Sequence, residues 1–349
     1  MVQIEFCLLI CKQKLDRSLI NCQGLLMIIP KANKLDSAQL EEIEAIVSEF
    51  ECNILEIQGH KQCVYAILGD ETHALMFKRI AGLSYIRKVD AIESPYRLMD
   101  RRSALSGHQV QVGISKVVND SPFIIGGPCT IDPNAPSLYL ETAHALKEAG
   151  VDALRGGVWK PRTNPYSYQG DSKAIEIILQ AREETGLPID IEVMDSAQLK
   201  IAMDAKVDIL QVGTRNALNY SLLKEIGKLS AGTGSAVLLK RGRHVASPDE
   251  FIAAAEYLVA EGNANVMLCP RGTTPPLDGY RNHPDESITP LLKNRTWAPV
   301  VIDPSHSVGH AEYVLACSLA AIAYGADGLC IESHIDPARG IGDDPKQAI

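Results

Sequence analysis

No run of this sequence approaches the ~18–20 consecutive apolar residues that a bilayer-spanning helix requires, so a membrane span is not expected. The longest early apolar patch, Phe6 to Cys11, follows Glu5 rather than a basic cluster and lacks a small-residue cleavage site, which argues against a secretory signal. Positive charge is in deficit: the net charge is −9, a balance that disfavours nucleic acid or an anionic membrane as the main partner. No C-x-x-C pair occurs among the nine cysteines, an odd number scattered along the chain. That pattern fits a reducing cytoplasm better than a disulfide framework. No G-x-G-x-x-G follows any apolar run, so a dinucleotide site is not expected.

What is present is length and alternation. The 349 residues suit one barrel of ~250 residues plus a smaller module. Residues 1–24 show no clear periodicity and form an extension of uncertain structure. From Leu25 a β-α-β-β-α-β order is legible over residues 25–93. Leu25–Pro30, Asn53–Ile57, Cys63–Leu68 and Ser84–Val89 read as strands. One predicted helix is capped by Asp36 and runs to about Phe50, another covers Glu71–Ile80, and Gly59 marks a turn. This is the ferredoxin-like arrangement, either a docking module or an effector-binding domain. Residues 94–118 read as a linker and a short hairpin around Gly113, and 119–349 as the barrel.

In that last region eight short apolar runs recur roughly 20–35 residues apart, the spacing of βα units. They are Phe123–Gly126, Ala153–Gly156, Ile189–Val193, Ile209–Val212, Ala236–Leu239, Val266–Cys269, Val300–Ile302 and Gly328–Ile331. Helical patterns separate most of them, at Leu138–Ala149, Ser172–Thr185, Ala197–Ala205, Ser221–Leu229, Pro248–Glu261 and Ala311–Tyr324. Eight such units predict an α/β (β/α)8 TIM barrel, with an open doubly wound sheet as the alternative.

Reactive residues cluster at the C-terminal ends of these runs, where the strands of a barrel converge on one mouth. Cys129 follows the first run, and Arg155, Lys160, Arg162 and Thr163 the second. Glu192 ends the third; Gln211, Thr214 and Arg215 end the fourth. Lys240 and Arg241 end the fifth, Arg271 the sixth, His306 the seventh, and Glu332 then Asp343 the eighth. Any one of these cations could be an ordinary surface charge. Seven on one rim of an acidic protein point to more than one bound anionic group. Cys129, His306, Glu332 and Asp343 have no diagnostic local spacing, but barrel closure would make strands one, seven and eight neighbours. Their mixed soft and hard donors fit Mn²⁺, Fe²⁺, Co²⁺ or Zn²⁺ better than Ca²⁺ or Mg²⁺. Cys330, two residues before Glu332, should share its face and make the site sensitive to oxidation.

The segments Gly126-Gly127-Pro128-Cys129, Leu154-Arg155-Gly156-Gly157, Lys160 through Gly170, Glu192-Val193-Met194-Asp195, Gln211 through Asn216, Leu238 through Gly242, Asp303-Pro304-Ser305-His306 and Ile331-Glu332-Ser333-His334 resemble those of 3-deoxy-D-arabino-heptulosonate 7-phosphate synthases. The likeness is closest to the short microbial type with an N-terminal ferredoxin-like domain, and runs from about Met27 to the C-terminus. It implies condensation of phosphoenolpyruvate with erythrose 4-phosphate, the first step of the shikimate pathway. By the same resemblance Cys129, His306, Glu332 and Asp343 fall on metal ligands. Arg155, Lys160, Arg215, Lys240 and Arg271 fall on phosphoenolpyruvate-binding positions, with Gln211 and Thr214 in the same lining. Arg162 and Thr163 fall where the aldose phosphate is held. Lys160 is the candidate for proton transfer, since buried cationic company eases release of its proton, and Glu192 either orients water or a neighbouring cation or forms a purely structural ion pair. A homotetramer and feedback inhibition by tyrosine or phenylalanine are implied as well.

The sequence departs from the family at Pro270, where Glu is usual, at Thr214, where Ala is usual, and at Ser333, Ile335 and Gly342. It also stops at Ile349, where the family continues into a last barrel helix, so apolar surface over strands eight and one is expected to be exposed. Two other readings stand beside the synthase: an octulosonate-phosphate synthase using a pentose phosphate, and a non-catalytic barrel that binds a metabolite.

Overall fold

The structure, a computed structural model, describes residues 25–58, 63–68, 73–92, 95–118, 120–162, 164–245 and 247–349. The expectations for residues 1–24, the Gly59 turn, the start of the second helix at Glu71 and Thr163 lie outside them.

Strands β1 (Leu25–Pro30), β2 (Asn53–Gln58), β3 (Cys63–Leu68) and β4 (Ile86–Ile92) form an antiparallel sheet in the order β2-β3-β1-β4. Helices Ser37–Ser48 and Ala74–Ala81 complete the ferredoxin-like order. Asp36 and Gln39 form a reciprocal capping box that starts the first helix. The fourth strand begins two residues later than expected because Gly82 and Leu83 still close the preceding helix, donating to the carbonyls of Lys78 and Ile80. Alternation divides the sheet into two faces. Leu26, Ile28, Tyr65 and Ile67 pack with the two helices. Met27, Ile57, Val64 and Ala66 join the apolar cluster of the barrel instead.

The segment after β4 is tied to the barrel by hydrogen bonds. Tyr96 donates to Asp249, the amides of Leu98 and Met99 donate to Glu256, and the Trp297 indole donates to the Leu98 carbonyl. A two-strand hairpin, β5 (Gln111–Val112) and β6 (Ser115–Lys116), turns at Gly113. Its Val110, Val112 and Val117 plug the N-terminal end of the barrel lumen.

Eight parallel strands follow: β7 (Phe123–Gly127), β8 (Ala153–Arg155), β9 (Ile189–Glu192), β10 (Ile209–Val212), β11 (Ala236–Arg241), β12 (Val266–Pro270), β13 (Val301–Ile302) and β14 (Gly328–Glu332). Their hydrogen-bonded order is β12-β11-β10-β9-β8-β7-β14-β13. A parallel bridge between Leu268 and Val300 closes the ring, so the barrel is confirmed and the open sheet is not. The six expected helices are present within two residues of their expected ends, and several have local causes. Asp195, Asn219 and Ser247 cap three N-termini, while Gly150 and Gly186 end two helices in the left-handed conformation. A short helix, Thr289–Arg295, was not legible in the sequence. After β14 the chain forms a turn at Pro337–Arg339 and a four-residue helix, Asp344–Gln347. Leu315 and Leu319, one turn apart on the preceding helix, are 66% and 63% exposed among the described residues.

Candidate active site

The barrel mouth is built on two glycine-dependent approaches. At Gly157 a Cβ would overlap the Cys129 carbonyl, so the chain after β8 can lie against the chain after β7 only because this residue is glycine. Gly213 lies equally close to the Glu192 carboxylate.

Three of the four expected metal donors converge. One ligand atom each from Cys129, His306 and Asp343 lies within 4.8 Å of the others. Cys129 Sγ is 3.9 Å from Asp343 Oδ2, and the Cys129 amide donates to Asp344 at 2.6 Å. Burial, then Glu332, pushes the metal-free Cys129 thiol up to about 11. His306 lies at the start of the helix Pro304–Val308, whose N-cap is Asp303. Its Nδ1 sits 2.9 Å from Asp303 Oδ2, which directs Nε2 toward the donor set. Burial lowers His306 to about 4 and outweighs the nearby acids Asp303 and Glu332, leaving a neutral imidazole at physiological pH.

Glu332, the fourth expected donor, adjoins this group through His306. Its Oε1 is 3.2 Å from His306 Nε2 and 3.1 Å from Arg155 Nη1, and Gln347 donates to Oε2. Despite those short distances, neither Glu332 Oε1 nor Arg155 Nη1 makes a hydrogen bond of acceptable geometry among the described residues. A thiol, a neutral imidazole and a carboxylate within reach of one point, beside a buried oxygen lacking a donor, fit a divalent transition-metal ion. Cys330 is buried in the lumen below Glu332, in an apolar cluster with Cys269, and lies outside the donor group.

Next to these donors is a cavity of about 240 Å³, lined by Lys160, Arg162, Arg215, Lys240, Arg271 and Arg281, with Glu192, Gln211 and Thr214. A second cavity of about 510 Å³ shares Thr214, Arg215, Arg271 and Arg281 and adds Arg243 and His244. Its lining contains no acid among the described residues. Arg155, Lys160, Lys240 and Arg271 are all at least nine-tenths buried, a placement that costs heavily unless charge is compensated. Lys240 donates to Asp303 at 2.6 Å, and Lys160 lies 3.7 Å from Glu192. Burial alone would lower Lys240, but Asp303 outweighs it and holds the ammonium charged. Arg271 forms no ion pair among the described residues, and burial lowers its pKa. Arg162 reaches Thr130 at 3.2 Å and Asp343 at 3.7 Å. Gln211 donates to Glu192 at 3.3 Å, while its Oε1 and the Thr214 hydroxyl have no partner among the described residues. Such orphaned atoms around a cavity are what a polar ligand would satisfy. Arg241 is different: it pairs with buried Asp285 and lines neither cavity.

Three residues not singled out from the sequence complete the mouth. Arg281 donates to Asp343 at 3.0 Å and to Gln347 at 3.2 Å. Asp344 receives the Cys129 amide, and Gln347 supports Glu332. All three lie in irregular segments or a short terminal helix, where no periodicity marks them.

A closed (β/α)8 barrel whose mouth couples a thiol–imidazole–carboxylate set to cation-lined cavities defines an enzyme class acting on small anionic substrates. Residues 106–348 match the DAHP synthetase I family, and the chain belongs to that family. It is 35% identical over 310 residues to the phospho-2-dehydro-3-deoxyheptonate aldolase of Thermotoga maritima, covering 87% of this chain and 88% of that one. The crystal structure of the DAHP synthase of that organism superimposes with a TM-score of 0.68 at 31% identity, over 93% of this chain and 92% of the other. A 2-dehydro-3-deoxyphosphooctonate aldolase of Methylococcus capsulatus is 31% identical over 64% of this chain and 82% of its own length.

Proposed function

We infer that this chain is a 3-deoxy-D-arabino-heptulosonate 7-phosphate synthase, which condenses phosphoenolpyruvate with erythrose 4-phosphate, releases phosphate and opens the shikimate pathway. The observation that carries this reading is the meeting of Cys129, His306 and Asp343 beside a cavity lined by six cationic side chains, in a chain of this family.

A divalent ion (Mn²⁺, Fe²⁺, Co²⁺ or Zn²⁺) held by Cys129, His306 and Asp343, with Glu332 alongside, would supply Lewis-acid polarisation of the aldehyde oxygen. The residues of the chain do the rest. Arg155, Lys240, Arg215 and Arg271 bind the carboxylate and phosphate of phosphoenolpyruvate and fix its enol carbon toward the aldehyde. Arg162, with Thr163, holds the aldose phosphate. Lys160 manages the proton at the enol carbon. Glu192 orients the water that attacks C2, after which phosphate leaves with C–O cleavage.

Phosphate release from phosphoenolpyruvate by metal-loaded protein tests the reading. Release with erythrose 4-phosphate is expected. Release only with arabinose 5-phosphate would assign the octulosonate reaction, and release with neither would leave a metabolite-binding barrel.

The domain division follows the same reading: an extension at 1–24, a regulatory domain at 25–93, a linker and hairpin at 94–118, and a catalytic barrel at 119–349. A homotetramer in the cytoplasm and an aromatic amino acid effector belong to it as well. No helix among the described residues is long and apolar enough to cross a membrane. The contact of Met27, Ile57, Val64 and Ala66 with the barrel cluster gives an effector domain a mechanical path to the catalytic unit. Deleting residues 1–95 should leave activity that neither tyrosine nor phenylalanine inhibits, and retained inhibition would refute the assignment.

A further inference from the structure

One buried group under the mouth has no role in the mechanism above. Ile189 and Ile191 on β9 pack outward into the cluster between strands and helices. By strand alternation Asp190 and Glu192 therefore point into the lumen. Asp190 sits one layer below Glu192, roughly 7 Å down the strand at the usual rise per residue. It is paired in register with Arg155 on β8 and Ile209 on β10. It is 2% exposed, and both its carboxylate oxygens are buried without a hydrogen-bond partner among the described residues. The lumen around this level is apolar, with Ala153, Ile209, Leu238, Met267, Cys269 and Cys330.

The nearby ion pairs explain why it is left over. Arg155 is matched to Glu332, Lys240 to Asp303 and Lys160 to Glu192. Those three cations already have three acids. A fourth carboxylate, if ionised, adds a net negative charge directly beneath a cavity meant for anions. As a neutral acid it adds none.

We propose that Asp190 is a positioning residue that carries a proton under the anion site, so that no further negative charge stands beneath the cavity lined by Lys240, Arg215 and Arg271, and that its ionisation weakens the hold of those cations on the substrate carboxylate and phosphate. The proposal rests on the synthase reading above and adds a pH-dependent control of substrate affinity to it. The charged groups acting on Asp190 come from β8, the segment after it, β11 and its own strand, while β10 supplies only apolar Ile209 at this level. Burial pushes its pKa up to about 7; Lys240 on β11, Arg155 on β8 and Lys160 after β8 pull it down, and Glu192 on its own strand pushes it up. Its charge in turn bears on Cys269 on β12, Cys330 on β14 and Tyr139 of the helix Pro136–Ala149. By linkage, binding of an anion above Asp190 raises its proton affinity, so the effects of proton and substrate are reciprocal.

The test is the KM for phosphoenolpyruvate between pH 6 and 8.5 in the wild-type enzyme, in Asp190→Asn and in Asp190→Val. The valine variant suits the apolar lumen if an amide is not tolerated there. The substrate's own ionisation is common to all three and cancels in the ratio. Relative to either variant, the wild-type KM should rise roughly three- to tenfold across this range, the effect of about half to one pKa unit of coupling, with the kcat profile unchanged in shape. Parallel KM–pH curves would overturn the proposal. So would a uniform loss of kcat with no change in the KM profile, which marks a purely structural role. If no form of the protein releases phosphate from phosphoenolpyruvate and erythrose 4-phosphate, the synthase reading fails instead. Calorimetric binding of phosphoenolpyruvate at pH 6 and 8.5 would then decide on Asp190 separately.

Discussion

Asp303 holds His306 by two contacts from one carboxylate: it caps the His306 amide at 2.9 Å through Oδ1 and meets the ring Nδ1 at 2.9 Å through Oδ2. The same Oδ2 accepts from Lys240 at 2.6 Å. Burial would raise its pKa, but His306 and Lys240 hold Asp303 well below the usual carboxylate range. One side chain thus orients a candidate metal ligand and neutralises a candidate substrate-binding cation.

Replacing Asp303 with Asn should therefore damage two functions together. The imidazole loses the partner that fixes its tautomer, and metal affinity should fall about 10–100-fold. Lys240 becomes an uncompensated buried ammonium, a change that typically costs about 3–5 kcal/mol. Metal titration against a chelator and thermal unfolding of the metal-free protein measure the two effects independently. A variant with normal metal affinity would show that Asp303 does not orient His306.

Cys129 makes a prediction about pH. Its thiol in the metal-free protein is raised to about 11, whereas His306, near 4, is already neutral above pH 5. Among the three donors, the thiol is then the one that still carries a proton to lose between pH 6 and 9. Affinity should climb with pH, by about tenfold per unit when one proton is released. Competition titrations at pH 6.5 and 8.5 should show this slope in the wild type and lose most of it in Cys129→Ser. An equal slope in both would place the displaced proton elsewhere.

Much of this was legible in the sequence because strand ends carry position and chemistry together. The apolar runs that lead into Cys129, Glu192, Gln211, Lys240 and Glu332 carry those residues to one end of the strands, and barrel closure gathers them at one mouth. Asp190 was not singled out from the sequence. The alternation Ile189-Asp190-Ile191-Glu192 puts two acids on one strand face, although only barrel closure makes that face a lumen. Arg281, Asp344 and Gln347 were not legible, because they come from segments without periodicity and reach the site only through the path of the chain. The contacts of Glu332 with Arg155 and His306 depend on side-chain geometry that spacing does not encode.

Gly213 offers a way to disturb Glu192 without altering its chemistry. A Cβ at this position would fall inside the contact shell of Glu192 Oε1, so Gly213→Ala must displace that carboxylate or the backbone carrying Thr214 and Arg215. Because small misplacements at a reacting centre are costly, kcat for phosphate release should fall by about tenfold or more. The metal content should stay the same, since Cys129, His306 and Asp343 are on other elements. Unchanged kcat would remove Glu192 from the reaction.

Glu256 tests how the barrel holds the segment that leads to the small domain. Its carboxylate accepts the Leu98 and Met99 amides at 2.7 and 2.8 Å. Truncation to alanine strands two donors and should cost about 1–3 kcal/mol, read as a lower melting temperature. Burial raises Glu256 to about 7, and the two amides only partly offset this. The folded protein therefore binds this proton more tightly than the unfolded chain. The resulting stability is fully present below the ordinary carboxylate pKa near 4 and is lost as pH rises through 7. Glu256→Gln cannot ionise, so relative to the wild type its stability should improve steadily from pH 4 to 8. Denaturant unfolding at several pH values measures this difference directly, and a constant offset between the two proteins would show that Glu256 does not titrate in that window.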